Sequence, residues 1–388
     1  MILRNYLRLA MAIAISVIFL SCNNNKRDAN DDSSLTAITE NNAKRANELI
    51  QPNPELTGEQ NAVLPNCQYE IEQDKEKYPG LRIDMTGVQD KNTSDWVDLY
   101  GSGDPNQNLW VEIDGVPKYV KALNSDSLNS IGGVHFMPVD IVFLVDNSTS
   151  MYEEADAIAR DIRGWAKELA NNGLDAKFAT VGYDGAITGA IDLTTVDNLS
   201  QWLSKGTGID RTRGFSGPNA QSLRGKASAY ATGGGDLNEC AMAALRFADQ
   251  NFTFTPGAPR VYVNFTDENN QPAGRSAFSV ESLKTDWDAS RGSIHTVFSD
   301  DKQLDRDESN SKMSDLTGGT VMYTNNAFRG VTLSNLPVTL ALRNSHVLNI
   351  RDIHDYIDGK EHDVKITVKT PDGKVQGERI YKMLLPPR

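Results

Sequence analysis

The sequence predicts an α/β fold in which a doubly wound, mostly parallel sheet is inserted in, or flanked by, a small β-sandwich. Two observations lead to this prediction. Between about residues 139 and 325, apolar strand candidates alternate with amphipathic helices, a pattern typical of a sheet covered by helices on both faces. On either side of this region, short alternating runs and turn signals indicate β-structure instead.

The central region contains five strand candidates: VDIVFLV (139–145), AKFATVGY (176–183), PRVYVNFT (259–266), GSIHTVFS (292–299) and GTVMYT (319–324). The aliphatic candidates are apolar at successive positions and do not alternate with polar residues, as is typical of strands in a sheet that is covered on both faces. Two of the intervening stretches space their apolar residues three or four apart, which predicts amphipathic helices. These residues are Ala155, Ile158, Ala159, Ile162, Trp165, Ala166 and Leu169 in the first stretch, and Ala241, Ala244, Leu245 and Ala248 in the second.

The two flanks, residues 63–138 and 326–388, both favour antiparallel strands. In the first, Asp114 and Gly115 separate two alternating runs, which predicts a tight hairpin. The second contains a Pro-Asp-Gly turn between two further runs. Neither flank has enough strands to bury a core of its own. We therefore expect the flanks to pair into one small sandwich, with a unit at 139–325 inserted between them.

The N-terminal segment, residues 1–21, has the features of a secretory signal. Arg4 and Arg8 precede an apolar run that is too short to span a bilayer and that ends in FLSC. This ending resembles the lipobox of bacterial lipoproteins, although Phe19 stands where leucine is usual. The resemblance implies lipid attachment at Cys22, in the bacterial cell envelope, at an outer membrane and facing either the periplasm or the surface. The alternatives are an uncleaved anchor, or a plain signal with a chance cysteine.

Residues 22–62 are rich in Asn, Asp, Ser, Glu and Pro and nearly free of aromatic residues. Such a composition cannot bury enough apolar surface to order itself, so we expect a flexible tether. The whole chain of 388 residues has a formal net charge of −13. An acidic surface repels nucleic acid and anionic lipid. We therefore predict no nucleic-acid partner and membrane contact through the N-terminal lipid only.

Two cysteines remain besides Cys22. Cys67 and Cys240 could form a disulfide in an exported protein, closing a long loop. A buried free thiol at Cys240, on the second predicted helix, is the alternative. The sequence leaves both possibilities open.

A candidate metal site follows the first strand of the central region. Asp146, Ser148 and Ser150 are spaced two residues apart, directly between a buried strand and an amphipathic helix. In doubly wound sheets ligands bind at the carboxyl ends of strands, so these three side chains can point toward one spot. One carboxylate and two hydroxyls are hard oxygen ligands, which suits Mg²⁺. Because only one of these ligands is negatively charged, the ion could accept a further carboxylate from outside the protein.

At this point the sequence resembles the von Willebrand factor A domain family, whose metal-ion-dependent adhesion site begins with a loop similar to DNSTSM (146–151). The resemblance covers about residues 139–325 and implies that the matching positions in two further loops, Asp236 and Asp267, also serve the metal. Asp236 stands where many family members have threonine, and its added charge would either weaken the ion's pull on an outside carboxylate or favour Ca²⁺ as well as Mg²⁺; Mn²⁺ is a further candidate. The alternative role of Asp236 is a helix N-cap. Glu239 follows it without a derivable role.

The function predicted from these features is binding of a protein partner that offers an acidic side chain to the metal, by a lipid-anchored envelope protein. One alternative is a structural envelope protein in which the metal only connects three loops. The other, a metal-dependent hydrolase, requires Asp184 or His295 to act as a base beside the ion. The sequence has no Walker loop, nucleophile elbow or catalytic cysteine motif, so we predict no enzyme activity and no catalytic residue.

Overall fold

The computed structural model describes residues 47–72, 79–124, 138–171, 175–233, 238–299, 307–324 and 337–387. The predicted signal segment, Cys22 and Asp236 lie outside these ranges. No helix within the ranges is both long enough and apolar enough to cross a bilayer.

Eight strands form in the described part of the chain before residue 138. They are β1 (Ala62–Val63), β2 (Cys67–Glu72), β3 (Gly80–Met85), β4 (Val88–Asp90), β5 (Trp96–Val97), β6 (Leu109–Ile113), β7 (Val116–Lys118) and β8 (Val120–Asn124). The predicted hairpin is confirmed, because β6 and β7 pair antiparallel around Asp114 and Gly115. Both turn residues have positive φ, which gives the turn the same twist as its strands.

The middle of the chain forms a seven-stranded sheet. Its strands are β9 (Val139–Asp146), β10 (Ala176–Tyr183), β11 (Ile187–Thr194), β12 (Gly214–Ser216), β13 (Arg260–Thr266), β14 (Ser293–Phe298) and β15 (Val321–Tyr323). The spatial order is β12-β11-β10-β9-β13-β14-β15, and each adjacent pair is parallel except β10 with β11. The central strand, β9, is buried over its whole length.

Helices cover both faces of this sheet. They are α1 (Tyr152–Asn171), α2 (Val196–Leu203), α3 (Ala220–Ala227), α4 (Ala241–Asn251), α5 (Leu283–Asp286) and α6 (Asn310–Thr317). Alternate residues of β9 enter two different cores: Phe143 packs with α1 and α2, whereas Leu144 packs with α3 and α4. The apolar face predicted for α1 is confirmed, since all seven of its residues are buried.

The chain ends in α7 (Pro337–Arg343), β16 (His346–Ile350), β17 (Glu361–Lys369) and β18 (Gln376–Leu384). These late strands join early ones in two four-stranded antiparallel sheets, of order β2-β3-β16-β8 and β18-β17-β6-β7. A third core, which contains residues of both sheets, lies between them. A further sheet, β1-β4-β5, is also antiparallel. Strands that precede the seven-stranded sheet in the chain thus pair, in the same two sheets, with strands that follow it.

The predicted fold class is wrong. Instead of a doubly wound, von Willebrand factor A-like sheet with a small sandwich, the structure is mixed α/β, with one mostly parallel sheet beside three antiparallel ones. Of the 18 described strands, 11 lie in the antiparallel sheets. The strand β11 was not predicted, because Gly189 and Asp192 interrupt its apolar residues.

The possible disulfide is also wrong, because Cys67 and Cys240 are both free thiols. Cys67 belongs to the core between the two four-stranded sheets, and Cys240 to the core under α4. Burial is the main cause that raises the pKa of each thiol to about 12. Each behaves as a small apolar side chain in a different core.

His362 connects β17 to two neighbouring turns. Its Nδ1 lies 2.7 Å from Oδ2 of Asp114, in the β6–β7 turn, and its Nε2 lies 3.0 Å from Oδ1 of Asp358. Burial lowers the pKa of this imidazole, but the hydrogen bonds and negative charges of the two aspartates outweigh burial, so the pKa of His362 is raised. The protonated ring donates to both carboxylates.

We expect His362→Gln to lower stability more at pH 6 than at pH 9. A raised folded-state pKa gives stability that is fully present below the unfolded-state pKa of about 6.5 and is lost as pH rises through the folded-state pKa. Thermal melts of both proteins at a series of pH values measure this difference. The control is His354→Gln at an exposed position; the same pH dependence in both variants would contradict the prediction.

A second prediction concerns the buried face of α1. Ile162 is fully buried in the core between α1 and the sheet, so Ile162→Ala should lower the free energy of unfolding by about 2–5 kcal/mol through lost burial and a residual cavity. Urea unfolding measures the change. Lys167→Ala, on the exposed face of the same helix, should change stability by less than about 0.5 kcal/mol.

Candidate metal centre

Asp146, the first predicted ligand, ends the central strand β9 and is fully buried. Its Oδ1 accepts a hydrogen bond from the backbone N–H of Ser148 at 2.9 Å. Its Oδ2 accepts one from the hydroxyl of Thr266, the last residue of β13, at 2.8 Å. The neighbouring parallel strands β9 and β13 therefore fix both oxygens of this carboxylate.

Three more predicted ligands meet at the same edge of the sheet. The hydroxyl oxygens of Ser148 and Ser150 are 3.0 Å apart, and the Ser150 hydroxyl donates to Oδ1 of Asp267 at 3.1 Å. Ser150 lies in a single 3₁₀ turn, Thr149–Met151, that leads directly into α1. Asp267 follows β13, and the parallel pairing of β9 with β13 brings it beside a residue 117 positions earlier.

The solvent exposure of these residues is uneven. Asp146 and Ser148 are buried, Asp267 is partly exposed and Ser150 is exposed. The cluster therefore has a protein-facing side, made by the end of β9, and a side that is open to solvent.

The donor set fits a hard divalent cation. Oxygen ligands at adjacent corners of an octahedron with bonds of about 2.1 Å lie about 3 Å apart, which matches the two oxygen–oxygen distances along the Ser148–Ser150–Asp267 chain. Within the described ranges no three His, Cys, Asp or Glu side chains form a metal-binding group. The described donors are instead two carboxylates, of Asp146 and Asp267, and two hydroxyls, of Ser148 and Ser150.

Acidic side chains are concentrated around this cluster. Burial is the main cause that raises the pKa of Asp146 to about 8, hydrogen bonds from Ser148 and Thr266 oppose it, and the charge of Asp267 adds to it. Burial likewise raises the pKa of Glu239 to about 7, with further contributions from the charges of Glu268 and Asp267. A divalent cation among these groups would favour their ionised forms.

Two residues of this site were not predicted from the sequence. Thr266 gave no signal beyond being a polar residue at the end of a buried strand. Glu239 was noted without a role; it is buried, accepts a hydrogen bond from the side chain of Gln271 at 2.9 Å, and lies close enough to the Ser148 hydroxyl for that group to lower its pKa. Both are brought to the site by strand pairing and loop packing rather than by sequence spacing.

Asn270 holds the loop that carries Asp267. Its side-chain NH₂ donates to the carbonyl of Phe278 at 2.9 Å and to Oε2 of Glu308 at 2.6 Å. Its side-chain oxygen accepts from the backbone N–H of Met242, in the first turn of α4, at 3.0 Å. This buried amide connects three segments and restricts the position of the loop.

The segment after Thr207, noted in the sequence for its glycines and arginines, packs against the first ligand loop. Arg213 donates to the carbonyl of Asn147 at 3.2 Å and lies 3.5 Å from the carboxylate of Asp184. The Asn147 side chain donates to Thr212 at 3.2 Å. A Cβ atom at Gly182 would collide with the Thr212 carbonyl, so this close approach requires glycine on β10.

A hydrolase would need Asp184 or His295 as a base, and each of these residues has a different partner. Asp184 is buried in the ion pair with Arg213. His295 is a buried residue of β14, its Nδ1 lies 2.8 Å from the hydroxyl of Thr320, and burial lowers its pKa to about 3. The prediction that the chain is not an enzyme stays a prediction.

The remaining predicted ligand, Asp236, lies outside the described residues, so its place at the site stays a prediction. Its alternative role as a helix N-cap stays a prediction for the same reason. The described helix that follows, α4, begins at Ala241 with Cys240 as its N-cap.

We expect Thr266→Val to lower the free energy of unfolding by about 1–3 kcal/mol, because the buried Asp146 carboxylate loses a hydrogen-bond donor. Thr180→Val is the matched control. Thr180 is buried on β10 of the same sheet and its hydroxyl has no hydrogen-bond partner, so removing it should be neutral or stabilising. Urea unfolding of both variants without added metal tests this, and equal losses would contradict it.

Comparison with known proteins finds similarity among solved structures only. No protein-family model matches the chain, and no curated protein sequence matches it. Among solved structures, a crystal structure of the pilus adhesin SpaC from Lactobacillus rhamnosus GG in an open conformation aligns at a TM-score of 0.33 and 13% identity, over 87% of this chain and 56% of the adhesin. A second SpaC structure aligns at 0.32 and 12%, over 85% and 49%.

The chain thus spans about half the length of the adhesin it is compared with. TM-scores this low do not establish a shared fold, so we draw no functional conclusion from the likeness.

Proposed function

We propose that this chain is a cell-envelope protein that binds a protein partner through a divalent cation held by Asp146, Ser148, Ser150 and Asp267, with Asp236 as a further ligand. The observation that carries the proposal is the convergence of Ser150 and Asp267 beside Asp146 at one edge of the central sheet.

The exposures of the four described ligands support a binding role over a purely structural one. Asp146 and Ser148 would hold the cation from the buried side, where Thr266 orients the Asp146 carboxylate. Ser150 and Asp267 lie toward solvent. When bound there, Mg²⁺, or Ca²⁺ or Mn²⁺ in its place, would supply an electrophilic centre that accepts a carboxylate oxygen from a partner.

The envelope location rests on the N-terminal sequence. Arg4, Arg8, the apolar run after them and the FLSC ending favour export and lipid attachment at Cys22. The tether predicted for residues 22–62 is too long at its end, because Asn53 and Asn61 hydrogen-bond to Thr367 and Lys374. The part before residue 47 would hold the folded part away from the membrane, so that the ligand loops can reach a partner.

Calorimetric titration of Mg²⁺, Ca²⁺ and Mn²⁺ into the protein tests the cation site. We expect Asp146→Ala and Asp267→Asn to lower the affinity at least about tenfold, since loss even of groups that only orient a ligand has effects of that size. Asp197→Asn, which removes one exposed carboxylate from α2, should leave the affinity unchanged. No binding of any of the three ions by the native protein would overturn the proposal.

Partner binding needs a second readout, because a structural metal would also bind. The protein immobilised with Mg²⁺ should retain an envelope partner that EDTA releases and that Ser150→Ala fails to retain. A large rise in melting temperature with metal, together with partner retention that is unchanged in Ser150→Ala, would favour the structural alternative.

A further inference from the structure

A cavity of about 460 Å³ lies between the two four-stranded sheets and the turn of the central region that carries Ser290. Its walls are mainly apolar or aromatic and come from Tyr69, Ile71, Ile357, Leu384, Pro386 and Pro387. Glu70 and Ser290 supply its polar groups. None of these residues belongs to the candidate metal centre, and the volume falls within the range of ligand sites.

The cavity sits between two strands at sheet edges. Among the described strands, β2 is the last of one four-stranded sheet and β18 the last of the other. At this seam the two strands are connected through a side chain: the backbone N–H of Leu384 donates to the Tyr69 hydroxyl at 2.9 Å. The first half of β18 is already covered, because the backbone N–H groups of Gln376 and Glu378 donate to the side chains of Asn61 and Gln60. The end of the strand, at Leu384, borders the cavity.

The outer face of β18 extends the apolar surface beyond the cavity. Ile380 and Leu384 lie four residues apart on one strand and therefore share a face, with Lys382 between them. Each of the two is 55% exposed. Large aliphatic side chains exposed this far, beside an apolar cavity, indicate a contact surface.

The mouth of the cavity carries surplus negative charge. Burial is the main cause that raises the pKa of Tyr69, and the negative charges of Asp288 and Glu361 raise it further. Glu70 lines the cavity itself.

The basic residues nearby are shared with other carboxylates. Arg82 pairs with Asp84 at 3.0 Å and lies 3.8 Å from Glu70. Lys382 contacts Asp363 more closely than it contacts Glu361, which is 3.8 Å away. Arg291 lies 3.3 Å from Asp288 but also pairs with Asp249 at 2.9 Å. Charge complementarity therefore favours a cationic occupant.

We propose that this cavity binds an extended, basic peptide segment of a partner protein, with an aliphatic side chain against Leu384 and the apolar walls and a lysine or arginine toward Glu70. An aliphatic stem that ends in a cation matches both the apolar walls and the acidic mouth. The site is independent of the cation site proposed above, so either can fail without the other.

The test is calorimetric titration of a blocked pentapeptide of alternating valine and lysine into the full chain. We expect binding that weakens as salt rises. The same peptide with glutamate in place of lysine should not bind. Glu70→Gln should weaken binding about threefold, as expected for a partly exposed charge, and Leu384→Ser about tenfold through lost apolar contact.

Two variants serve as controls. Val116→Ser removes a 48% exposed aliphatic side chain from β7, at the far edge of the same sheet, and Glu153→Gln removes an exposed carboxylate from α1. Both should bind like the native protein, and melting temperatures confirm that each variant is folded. Equal affinity for the two peptides, no binding at millimolar concentration, or equal losses in test and control variants would overturn the proposal. Hexylamine binding as tightly as the lysine peptide would also overturn it, in favour of a small-amine site.

Discussion

The buried carboxylate of Asp146 is the constraint on which the candidate site depends. A carboxylate without solvent needs donors at both oxygens, and here the Ser148 N–H and the Thr266 hydroxyl provide them. Thr266 can do so only because β13 lies beside β9 in parallel register. The same pairing places Asp267, the next residue, beside Ser150. One pair of central strands thus sets the geometry of all the described ligands.

The rest of the molecule holds that strand pair in place. Each face of β9 belongs to a separate core under helices, and the loops around the ligands are attached through Asn270 and Arg213. The antiparallel sheets enclose a third core that uses both ends of the described chain. Asn124, the last residue of β8, pairs with His346, the first of β16, so the strands on either side of the central unit are adjacent.

The elements that were predicted correctly are those whose burial or turn geometry depends on nearby residues in the sequence. The apolar spacing of α1 and the aliphatic runs of β9 and β13 were correctly located, because burial on a helix face or on both faces of a sheet leaves a periodic record in sequence. The hairpin at Asp114 and Gly115 was found because few residues adopt positive φ. The strand β11 and the extent of the antiparallel sheets were missed, since short, polar-interrupted strands leave weak signals.

The sequence by itself determined the chemistry available at the end of β9: a carboxylate and two hydroxyls at Asp146, Ser148 and Ser150, before a helix that begins at once. Only the tertiary structure decided which distant groups join them. Thr266 and Glu239 reach the site, and Cys67 and Cys240 stay apart in different cores. The reason is that contacts between residues far apart in the chain depend on strand order and on the packing of whole layers, which no short stretch of sequence specifies.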